Sequence, residues 1–599
     1  MAEYNAPLRD IALALRGASD LPELAATGGF GDLTLELADA VLEEAGKFAR
    51  DVISPLNRIG DLQGASLENG VVKMADGFAD AYRAYVEAGW GAISGDSAYG
   101  GQGLPLALAN AVEEMMISGC MAFSLCATLT HGAVEAVDAH GTPEQKQIYL
   151  TRLISGEWSG TMNLTEPQAG SDVGALTSKA VRRPDGSYAI TGGKIFITYG
   201  EHEMSRNIVH LVLARLPDSP PGTRGISLFI VPKYLPDADG GPGRRNDLRC
   251  VGLEEKMGIH ASPTCVMAYG ENEGATGFLL GEENRGMSCM FTMMNAARLN
   301  VGLSGVAVGE RAYQQALAYA LERRQGKPLT PPAMAADGLP IAAHADVRRM
   351  LLSMKSLVQG ARGICYATAA ALDMARKAAS SDAREKARAR ADLLTPIAKA
   401  WSTEIGFEVA SLGMQVHGGM GFIEETGAAQ YLRDVRITSI YEGTNGIQAI
   451  DMVTRKLPMH GGTVMRDFIA EMRETAAECR RSREPEFGQI GAALDRSLDA
   501  LSDATEWMLA RVGSAPNDCL AGAAPFLRLS GTVTSGFFLA RMALVAAREA
   551  ERDPHSGSAL GTALFFALNH LPLAGGLSGA AMAGAGHLYA MDDAQLGSM

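Results

Sequence analysis

Apolar residues follow two different spacings along this chain, and the change of spacing divides it into helical and strand-forming regions. From residue 32 to about 160 they recur every three or four positions, which is the spacing of one face of a helix. Between 161 and 285 short runs of β-branched and aromatic residues are bounded by Gly, Pro and Asp, which is typical of strands. Helical spacing returns from Ser288. The pattern predicts an α+β protein that is mostly helical and has one central β domain.

The same pattern, read with the Pro and Gly clusters that break it, predicts five segments. They are an N-terminal extension (1–31), a helical domain (32–160), a central β domain (161–285), a helical bundle (286–460) and an additional C-terminal helical domain (461–599). A proline-containing stretch at 328–340 interrupts the bundle. Residues 465–550 have the pattern of helices with charged outer faces.

One long segment, His555 to Met591, contains no Asp, Glu, Lys or Arg. It is longer than the roughly 20 residues that a membrane-spanning helix requires. Pro572 and the pair Gly575-Gly576 interrupt it, so the sequence favours two buried helices, split near Pro572, over a membrane span.

Composition narrows the function classes. A formal charge of −15 argues against a nucleic-acid partner, because a polyanion repels a net acidic protein. The eight cysteines form no CxxC pair and no metal-like cluster, so we expect free thiols, a reducing compartment and no bound metal. The N-terminus lacks the basic start and apolar core of a signal peptide, and we expect a cytoplasmic protein.

The stretch with the strongest candidate for chemistry surrounds Glu442. Apolar residues that include Ile440 and Tyr441 precede this carboxylate, and a Gly-Thr-Asn-Gly cluster follows it. The pattern predicts a tight loop between two helical segments with an apolar approach on one side. A carboxylate that loses hydration in such a place has a raised pKa and becomes a base suited to a weakly acidic C–H group.

Four motifs in this order identify a family resemblance: LTEPQAGSD at 164–172, KIFIT at 194–198, QVHGGMGF at 415–422 and YEGTN at 441–445. Together they resemble the acyl-CoA dehydrogenase family across roughly residues 35–460. The flanks resemble the extensions of its longer branch, which includes 3-methylmercaptopropionyl-CoA dehydrogenase-like proteins. The resemblance implies the architecture of that family with an extra C-terminal helical domain, and FAD as the cofactor.

The resemblance also implies which residues contact FAD. They are Leu164, Thr165, Ser171, Phe196, Thr198, Arg323, Gln415, Gly418, Gly419 and Thr444. Phe196 stands where the family commonly has Trp, so it keeps an aromatic face but lacks the indole donor. Gly446 replaces a common Gln. The sequence RRQG departs from the family's motif and leaves open whether Arg323 or Arg324 reaches the pyrophosphate.

By the same resemblance, Glu442 is the catalytic base and Arg298 holds the active-site geometry. The implied substrate contacts are Ser171, Asn295, Arg298, Tyr441 and Gly443. We expect Glu166 to orient its loop and His417 to pack rather than to react.

The expected reaction is α,β-dehydrogenation of an acyl-CoA thioester to the trans-2-enoyl-CoA. The implied substrate is 3-methylmercaptopropionyl-CoA, an intermediate of dimethylsulfoniopropionate breakdown, and a medium or long straight acyl chain is the alternative. The implied electron acceptor is an electron-transfer flavoprotein and the implied assembly is a homodimer. An acyl-CoA oxidase, which shares the fold and a Glu base but passes its electrons to oxygen, is the alternative activity. A non-enzymatic nucleic-acid-binding relative is disfavoured because the 555–591 segment carries no Lys or Arg.

Overall fold

The computed structural model describes residues 3–31, 33–237, 239–327, 339–549 and 556–597. Helix accounts for 64% of the chain, which confirms a mostly helical fold. The helices are α1 (Leu8–Gly17), α2 (Leu21–Ala26), α3 (Leu35–Phe48), α4 (Leu56–Gln63), α5 (Phe78–Glu87), α6 (Leu106–Gly119), α7 (Met121–His140), α8 (Pro143–Gln145), α9 (Thr151–Ser155), α10 (Gly286–Glu322), α11 (Ala345–Lys377), α12 (Ser381–His417), α13 (Ala428–Val435), α14 (Asn445–Asp451), α15 (Thr463–Arg481), α16 (Pro485–Arg511), α17 (Pro516–Arg548), α18 (Ser556–Asn569), α19 (Ala574–Ala581) and α20 (Asp593–Gly597). The strands are β1 (Ser66–Glu68), β2 (Val71–Lys73), β3 (Trp158–Asn163), β4 (Lys179–Arg182), β5 (Tyr188–Thr198), β6 (Asn207–Arg215), β7 (Ile226–Pro232), β8 (Tyr234–Pro236), β9 (Pro242–Arg245), β10 (Leu248–Leu253), β11 (Thr264–Tyr269) and β12 (Ala275–Leu280).

The chain forms two compact units, which we call the helical unit and the sheet unit. The helical unit comprises Met1–Glu43, Leu106–Glu114 and Val301–Met599. The sheet unit comprises Glu44–Pro105 and Met115–Asn300. The five predicted segments remain a prediction as boundaries. The interruption predicted at 328–340 lies, as far as residue 338, outside the described residues.

The sheet unit is built on one eight-stranded sheet. Its strand order is β10-β11-β5-β12-β7-β6-β3, and β4 pairs with β5 and β6. Apolar clusters cover both faces: one contains Trp158 and Leu211, and the other contains Phe229 and Met267. The short runs between 161 and 285 that predict strands include KIFIT and NIVHLVLARL, and these two are confirmed as parts of β5 and β6. The hairpin of β1 and β2, by contrast, lies inside a region that the pattern predicts to be wholly helical.

In the helical unit, α10 and α12 cross at backbone contact. A Cβ atom added at Gly305 would meet the carbonyl of Ser402, and one added at Gly406 would meet Gly305. Only glycine allows two helix backbones to approach this closely. This crossing fixes α12, whose residues hold the loop described below.

The N-terminal extension is part of this unit. Gly17 of α1 packs against Met542 of α17, and a Cβ atom added at Gly17 would lie 3.0 Å from Cα of Met542. Arg16 pairs with Glu549 at 3.3 Å. Residues 8–17 therefore belong to the folded core of the helical unit.

The structure corrects two expectations for the C-terminal helices. Among the described residues, two segments are long and apolar enough to span a membrane, Pro516–Arg548 and Gly557–Ala581. In the most apolar part of each segment, 83% of the first and 33% of the second is buried. Helix α17 is thus a buried core helix, although the pattern assigned it a charged outer face. The split near Pro572 is confirmed, but α18 and α19 are only partly buried, and Leu568 and Leu573 are exposed.

Candidate functional site

Glu442 lies on a tight loop between two helical segments, as the sequence predicts. A 3₁₀ turn (Arg436–Ser439) precedes the loop and α14 follows it. Glu442 has φ +58° and Gly443 has φ +80°, so two consecutive residues adopt the left-handed conformation. For a residue with a side chain this conformation costs about 1–2 kcal/mol and persists only where neighbours enforce it.

Gln448 and Thr444 enforce the shape of this loop. The fully buried Gln448 donates its side-chain amide to the carbonyl oxygens of Glu442 and Gly443, at 3.4 and 3.3 Å. Thr444 caps α14, because its hydroxyl oxygen accepts the backbone N–H of Ile447 at 3.2 Å. The carboxylate is therefore presented by a backbone that is held on its C-terminal side.

Asn445 ties the loop to α12. Lys399, which is fully buried, donates to the amide oxygen of Asn445 at 2.9 Å. The amide nitrogen of Asn445 donates to the hydroxyl of Thr403 at 3.1 Å and to the carbonyl of Ala400 at 3.2 Å. A buried charge that meets such a partner costs less than an unpaired one, and it holds the partner rigidly.

Tyr441 precedes the carboxylate and stays neutral. Burial, and secondarily the charge of Glu442, raise the pKa of Tyr441 well above its ordinary value. Its hydroxyl is buried and has no hydrogen-bond partner within the part of the chain that the structure describes. It is thus a donor placed next to Glu442.

In the sheet unit, the loop that follows β3 carries three predicted flavin contacts. Leu164 is buried, Thr165 is half-buried and Ser171 is exposed. The backbone carbonyl of Thr165 accepts the N–H of Ile195 in β5 at 3.0 Å. This bond places the start of the loop beside the KIFIT strand.

Glu166 orients this loop, as expected. Its carboxylate accepts the backbone N–H and hydroxyl of Thr177 at 2.7 and 2.8 Å, and those of Ser178 at 3.1 and 2.7 Å. It also accepts the side-chain amide of Gln168 at 2.8 Å and the ammonium group of Lys194 at 2.8 Å. Burial alone would raise the pKa of Glu166, but Lys194, Ser178 and Thr177 hold that pKa well below its ordinary value.

Phe196 departs from regular strand geometry. Cys265 pairs with Ile197 and Met267 with Lys194, so two residues of β5 oppose one of β11 in a bulge. Phe196 has φ +59°, and its side chain is 57% exposed, so it does not belong to the core. A bulge redirects a side chain, and here it presents an aromatic ring.

Thr198, the other predicted contact of this strand, is half-buried at the end of β5. Its carbonyl accepts the hydroxyl of Thr161 at 2.7 Å.

Arg298 and Asn295 lie one turn apart on α10, still within the sheet unit. Arg298 is 4% exposed and donates to the amide oxygen of Asn295 at 3.4 Å. Its guanidinium lies 5.9 Å from the centre of the Phe291 ring. The structure therefore brings these two predicted substrate contacts together.

The QVHGGMGF motif lies where α12 ends. Gln415, Gly418 and Gly419 are exposed, and a Cβ atom added at either glycine would meet nothing within 4 Å. His417 packs as expected: it is buried, bonds the carbonyl of Gly413 at 2.7 Å and stacks on Tyr319 at 4.5 Å.

Arg323 and Arg324 are both exposed beyond the end of α10. The guanidinium of Arg323 donates to the side chain of Gln325 at 3.3 Å. Which of the two arginines binds a pyrophosphate remains a prediction.

The predicted site residues fall into two groups, one in each unit. The sheet unit carries Leu164, Thr165, Ser171, Phe196, Thr198, Asn295 and Arg298; the helical unit carries Arg323, Gln415, Gly418, Gly419, Tyr441, Glu442, Gly443 and Thr444. Sequence reasoning missed the residues that hold them: Lys194, Lys399, Asn445 and Gln448. Sequence offered one signal for each lysine, since Lys399 interrupts an apolar run and Lys194 directly precedes one.

Two observations test whether these residues fit FAD. The exposed Phe196 supplies a flat face, and the half-buried residues Thr165 and Thr198, one bonded to β5 and one in it, supply the polar groups that a flavin ring requires. The open glycine pair 418–419 leaves room for a phosphate to approach the backbone. Among the described residues, no group of three or more His, Cys, Asp or Glu side chains could hold a metal ion.

Four family models match consecutive parts of the chain. They are the acyl-CoA dehydrogenase N-terminal domain (36–157), middle domain (161–271) and C-terminal domain (284–457), and the acetyl-CoA dehydrogenase C-terminal-like domain (468–592).

Relatives of similar length match almost end to end. The 3-methylmercaptopropionyl-CoA dehydrogenase of Ruegeria pomeroyi is 48% identical, over 91% of this chain and 92% of that protein. A butyryl-CoA dehydrogenase of Syntrophomonas wolfei is 34% identical over 95% of both chains. The broad-specificity linear acyl-CoA dehydrogenase FadE5 of Mycobacterium tuberculosis is 33% identical over 96% of both.

Solved structures share the fold. Caenorhabditis elegans ACDH-11 in complex with C11-CoA matches with a TM-score of 0.77 at 20% identity, over 95% of this chain and 92% of that one. Acyl-CoA dehydrogenase of Bacillus anthracis complexed with FAD gives 0.73 at 20% identity, over 92% and 88%. A chain of the structure described as the electron transferring flavoprotein of Acidaminococcus fermentans gives 0.58 at 26% identity, over 70% and 98%.

Proposed function

This chain belongs to the acyl-CoA dehydrogenase family of FAD-dependent oxidoreductases, and we propose that Glu442 is the base with which it dehydrogenates an acyl-CoA thioester between the α and β carbons. The product is the trans-2-enoyl-CoA. The observation that carries this proposal is the enforced left-handed conformation of Glu442, which presents a carboxylate on a loop held by Gln448 and Asn445.

The chain's own residues supply a base and a rigid backbone. An α-proton becomes acidic when its negative charge spreads onto the thioester oxygen, and donors aimed at that oxygen assist. We assign the proton removal to the Glu442 carboxylate and one of these donors to its own backbone N–H. Arg298, held by Asn295, keeps a positive charge for the site, and Tyr441, Gly443 and Ser171 contact the substrate.

The flavin contacts are divided by the part of FAD that they suit. Leu164, Thr165, Ser171, Phe196 and Thr198 hold the ring system, Thr444 adds a hydroxyl, and Arg323, Gln415, Gly418 and Gly419 suit the dinucleotide half. Bound FAD supplies the hydride acceptor for the β-carbon.

The proposed substrate is 3-methylmercaptopropionyl-CoA. Its support is the 48% identity with the Ruegeria pomeroyi enzyme of that name, against 34% and 33% for relatives named for straight-chain substrates. A straight-chain acyl-CoA is the alternative.

We further assign this protein a cytoplasmic location, a homodimeric state and an electron-transfer flavoprotein as electron acceptor. The acceptor is the one that the family resemblance implies. An acyl-CoA oxidase would instead pass its electrons to oxygen, so peroxide formation with substrate in air separates the two activities.

The test is an anaerobic titration of the purified, FAD-loaded protein, followed by its visible absorbance. We expect 3-methylmercaptopropionyl-CoA to bleach the flavin at lower concentration and faster than butyryl-, octanoyl- or palmitoyl-CoA. Bleaching by a straight-chain thioester alone would reject the substrate and keep the reaction. A flavin that no thioester bleaches, but dithionite does, would reject the reaction for this chain.

A further inference from the structure

Lys194 and Glu166 form an ion pair inside the sheet unit. Their side chains are 0% and 2% exposed, and Lys194 Nζ lies 2.8 Å from Glu166 Oε1. Lys194 opens the KIFIT motif and Glu166 lies in the LTEPQAGSD motif, so the pair joins the two segments that carry the predicted contacts to the flavin ring.

Further hydrogen bonds extend this connection along the backbone. Lys194 Nζ also donates to the carbonyl of Leu164 at 3.0 Å. The N–H of Ile195 donates to the carbonyl of Thr165 at 3.0 Å. Three consecutive residues, 164–166, are therefore attached to two consecutive residues of β5, and Thr165 lies at the centre of the attachment.

The remaining oxygen lone pairs of Glu166 hold the far end of the same loop. They accept the N–H groups and hydroxyls of Thr177 and Ser178 at 2.7–3.1 Å. Both ends of the loop that displays Ser171 thus converge on one carboxylate.

The bulge of β5 begins directly after Lys194. Lys194 still lies opposite Met267 in the regular ladder of β5 and β11, whereas Phe196, two residues later, has the left-handed conformation. The lysine side chain fixes the last regular position before the strand turns the Phe196 ring outward.

A buried ion pair is a poor device for stability alone. The cost of removing two charges from water is comparable to their attraction, and well-packed apolar residues often serve equally well. A purely structural requirement at this place would be met by two apolar side chains. What an apolar pair does not supply is a set of directional bonds from one carboxylate to both segments.

We propose that the Lys194–Glu166 pair is a positioning pair for FAD, which sets Thr165 and Phe196 in their places relative to each other before the flavin ring binds. The proposal rests on the flavin contacts assigned above. Neither residue is assigned a contact with the cofactor.

The test compares full-length variants Lys194→Met and Glu166→Gln with a matched control from the same unit. Lys233 forms a second buried Lys–Glu pair of the sheet unit, with Glu201, and also donates to the carbonyl of His202 at 3.4 Å. Glu201 pairs with Arg245 as well, at 3.4 Å. Lys233→Met therefore removes the same charge from a similar environment without touching the loop 164–178. For each variant we would measure the dissociation constant of FAD from the FAD-depleted protein, the melting temperature of that protein and the visible spectrum of bound flavin.

We expect Lys194→Met and Glu166→Gln to weaken FAD binding by about tenfold or more, a loss of about 1.4 kcal/mol of binding free energy, and to shift the flavin absorbance bands. Lys233→Met should lower the melting temperature to a similar extent but keep the native FAD affinity and spectrum. If Lys194→Met does not fold, Glu166→Gln, which preserves size and shape, decides. Equal effects on melting temperature with native FAD affinity and spectrum in the Lys194 and Glu166 variants would overturn the proposal.

The variants Thr165→Ala and Thr198→Ala distinguish this failure from failure of the assigned contacts. If these two also bind FAD with native affinity and spectrum, the flavin contacts themselves are misassigned. If these two variants weaken FAD binding while Lys194→Met does not, the assigned contacts are correct and the positioning role is rejected.

Discussion

Phe196 in the sheet unit and Glu442 in the helical unit share an uncommon backbone conformation but are held in different ways. Their φ values are +59° and +58°. Phe196 lies in a strand bulge beside a buried ion pair, with the ladder of β5 and β11 around it. Glu442 lies on a loop that the neutral side-chain amides of Gln448 and Asn445 hold on its C-terminal side. Lys399 contributes indirectly, because it donates to the Asn445 amide oxygen.

The difference suits what each residue presents. The carbonyl-directed amide of Gln448 fixes the Glu442 backbone without adding a charge beyond that of Arg298, which is assigned to the same site. Phe196 does not titrate, so a strong ion pair next to it has no pKa to shift there. We infer that an ion pair directly holds the segment of the residue that does not titrate, whereas amide groups make the direct bonds to the backbone of the residue that does.

The largest expected effect comes from Glu442→Gln, which keeps the shape of the loop and removes the base. We expect the rate of flavin reduction by substrate to fall by about 10²–10⁴-fold, measured by anaerobic stopped-flow absorbance. FAD affinity should stay native, because no flavin contact is assigned to this carboxylate. A native reduction rate would exclude Glu442 as the base.

The Lys194–Glu166 pair should give the next effect, on stability. Breaking a buried pair by removing one charge costs about 3–5 kcal/mol, so at pH 7 we expect Glu166→Gln to lower the free energy of unfolding by that amount. The pKa of Glu166 is depressed below its ordinary 4.5 in the folded protein. The stabilisation is therefore complete above about pH 4.5 and is lost as the pH falls towards the depressed value.

Denaturant unfolding of the native and Glu166→Gln proteins between pH 7 and pH 3.5 measures this dependence. The gap between them should narrow below pH 4.5. Glu282→Gln, which alters an exposed carboxylate of the same unit, should stay within about 0.5 kcal/mol of native. A gap that is constant over this range would contradict the ionised state of Glu166.

Gln448→Leu should affect the other loop without changing any charge. It removes both hydrogen bonds to the carbonyls of Glu442 and Gly443, so we expect kcat to fall by about 10–100-fold with KM little changed, because small misplacements of a catalytic group are costly. Gln315→Leu is the matched control: Gln315 is buried and donates to the carbonyl of Thr426 at 2.7 Å. Equal losses of kcat in both variants would mean that Gln448 acts only through stability.

Phe196→Gly should have the smallest effect, and we expect it to leave stability unchanged or to raise it. Relief of the left-handed strain outweighs or balances the entropy cost of glycine, so the free energy of unfolding of the FAD-free protein should stay the same or rise by up to about 1 kcal/mol. Ile197→Gly, at the neighbouring buried position, should lose about 3 kcal/mol or more. A clear loss of stability in Phe196→Gly would show that the ring packs against the protein and is not free to contact a ligand.

The sequence predicts those features that depend on local pattern. Strands β6 and β7 are mostly apolar and rich in β-branched residues, and the loop at Glu442 follows from its Gly-Thr-Asn-Gly cluster. Strand β3 is missed because the small and polar residues of WSGTMN form no apolar run, although all six residues are buried. The burial of α17 is missed for a different reason, because its apolar residues surround the whole helix and leave no single apolar face.

The residues that hold the site are beyond local pattern for a different reason. Glu166 and Lys194 are 28 positions apart, and Lys399 and Asn445 are 46 apart. No periodicity relates such partners, since strand pairing and helix crossing decide which of the chain's charged residues meet. The sequence predicts what is presented to ligands, and the fold determines what holds it.

The buried cysteines can report local unfolding of each unit through their reaction with alkylating reagents. All eight lie among the described residues, are buried and form no disulfide. Five belong to the sheet unit and three to the helical unit: Cys120, Cys126, Cys250, Cys265 and Cys289, and Cys365, Cys479 and Cys519. An alkylating reagent reaches them only when the surrounding structure opens, so the order in which these peptides gain mass under mild denaturant reports which unit unfolds first.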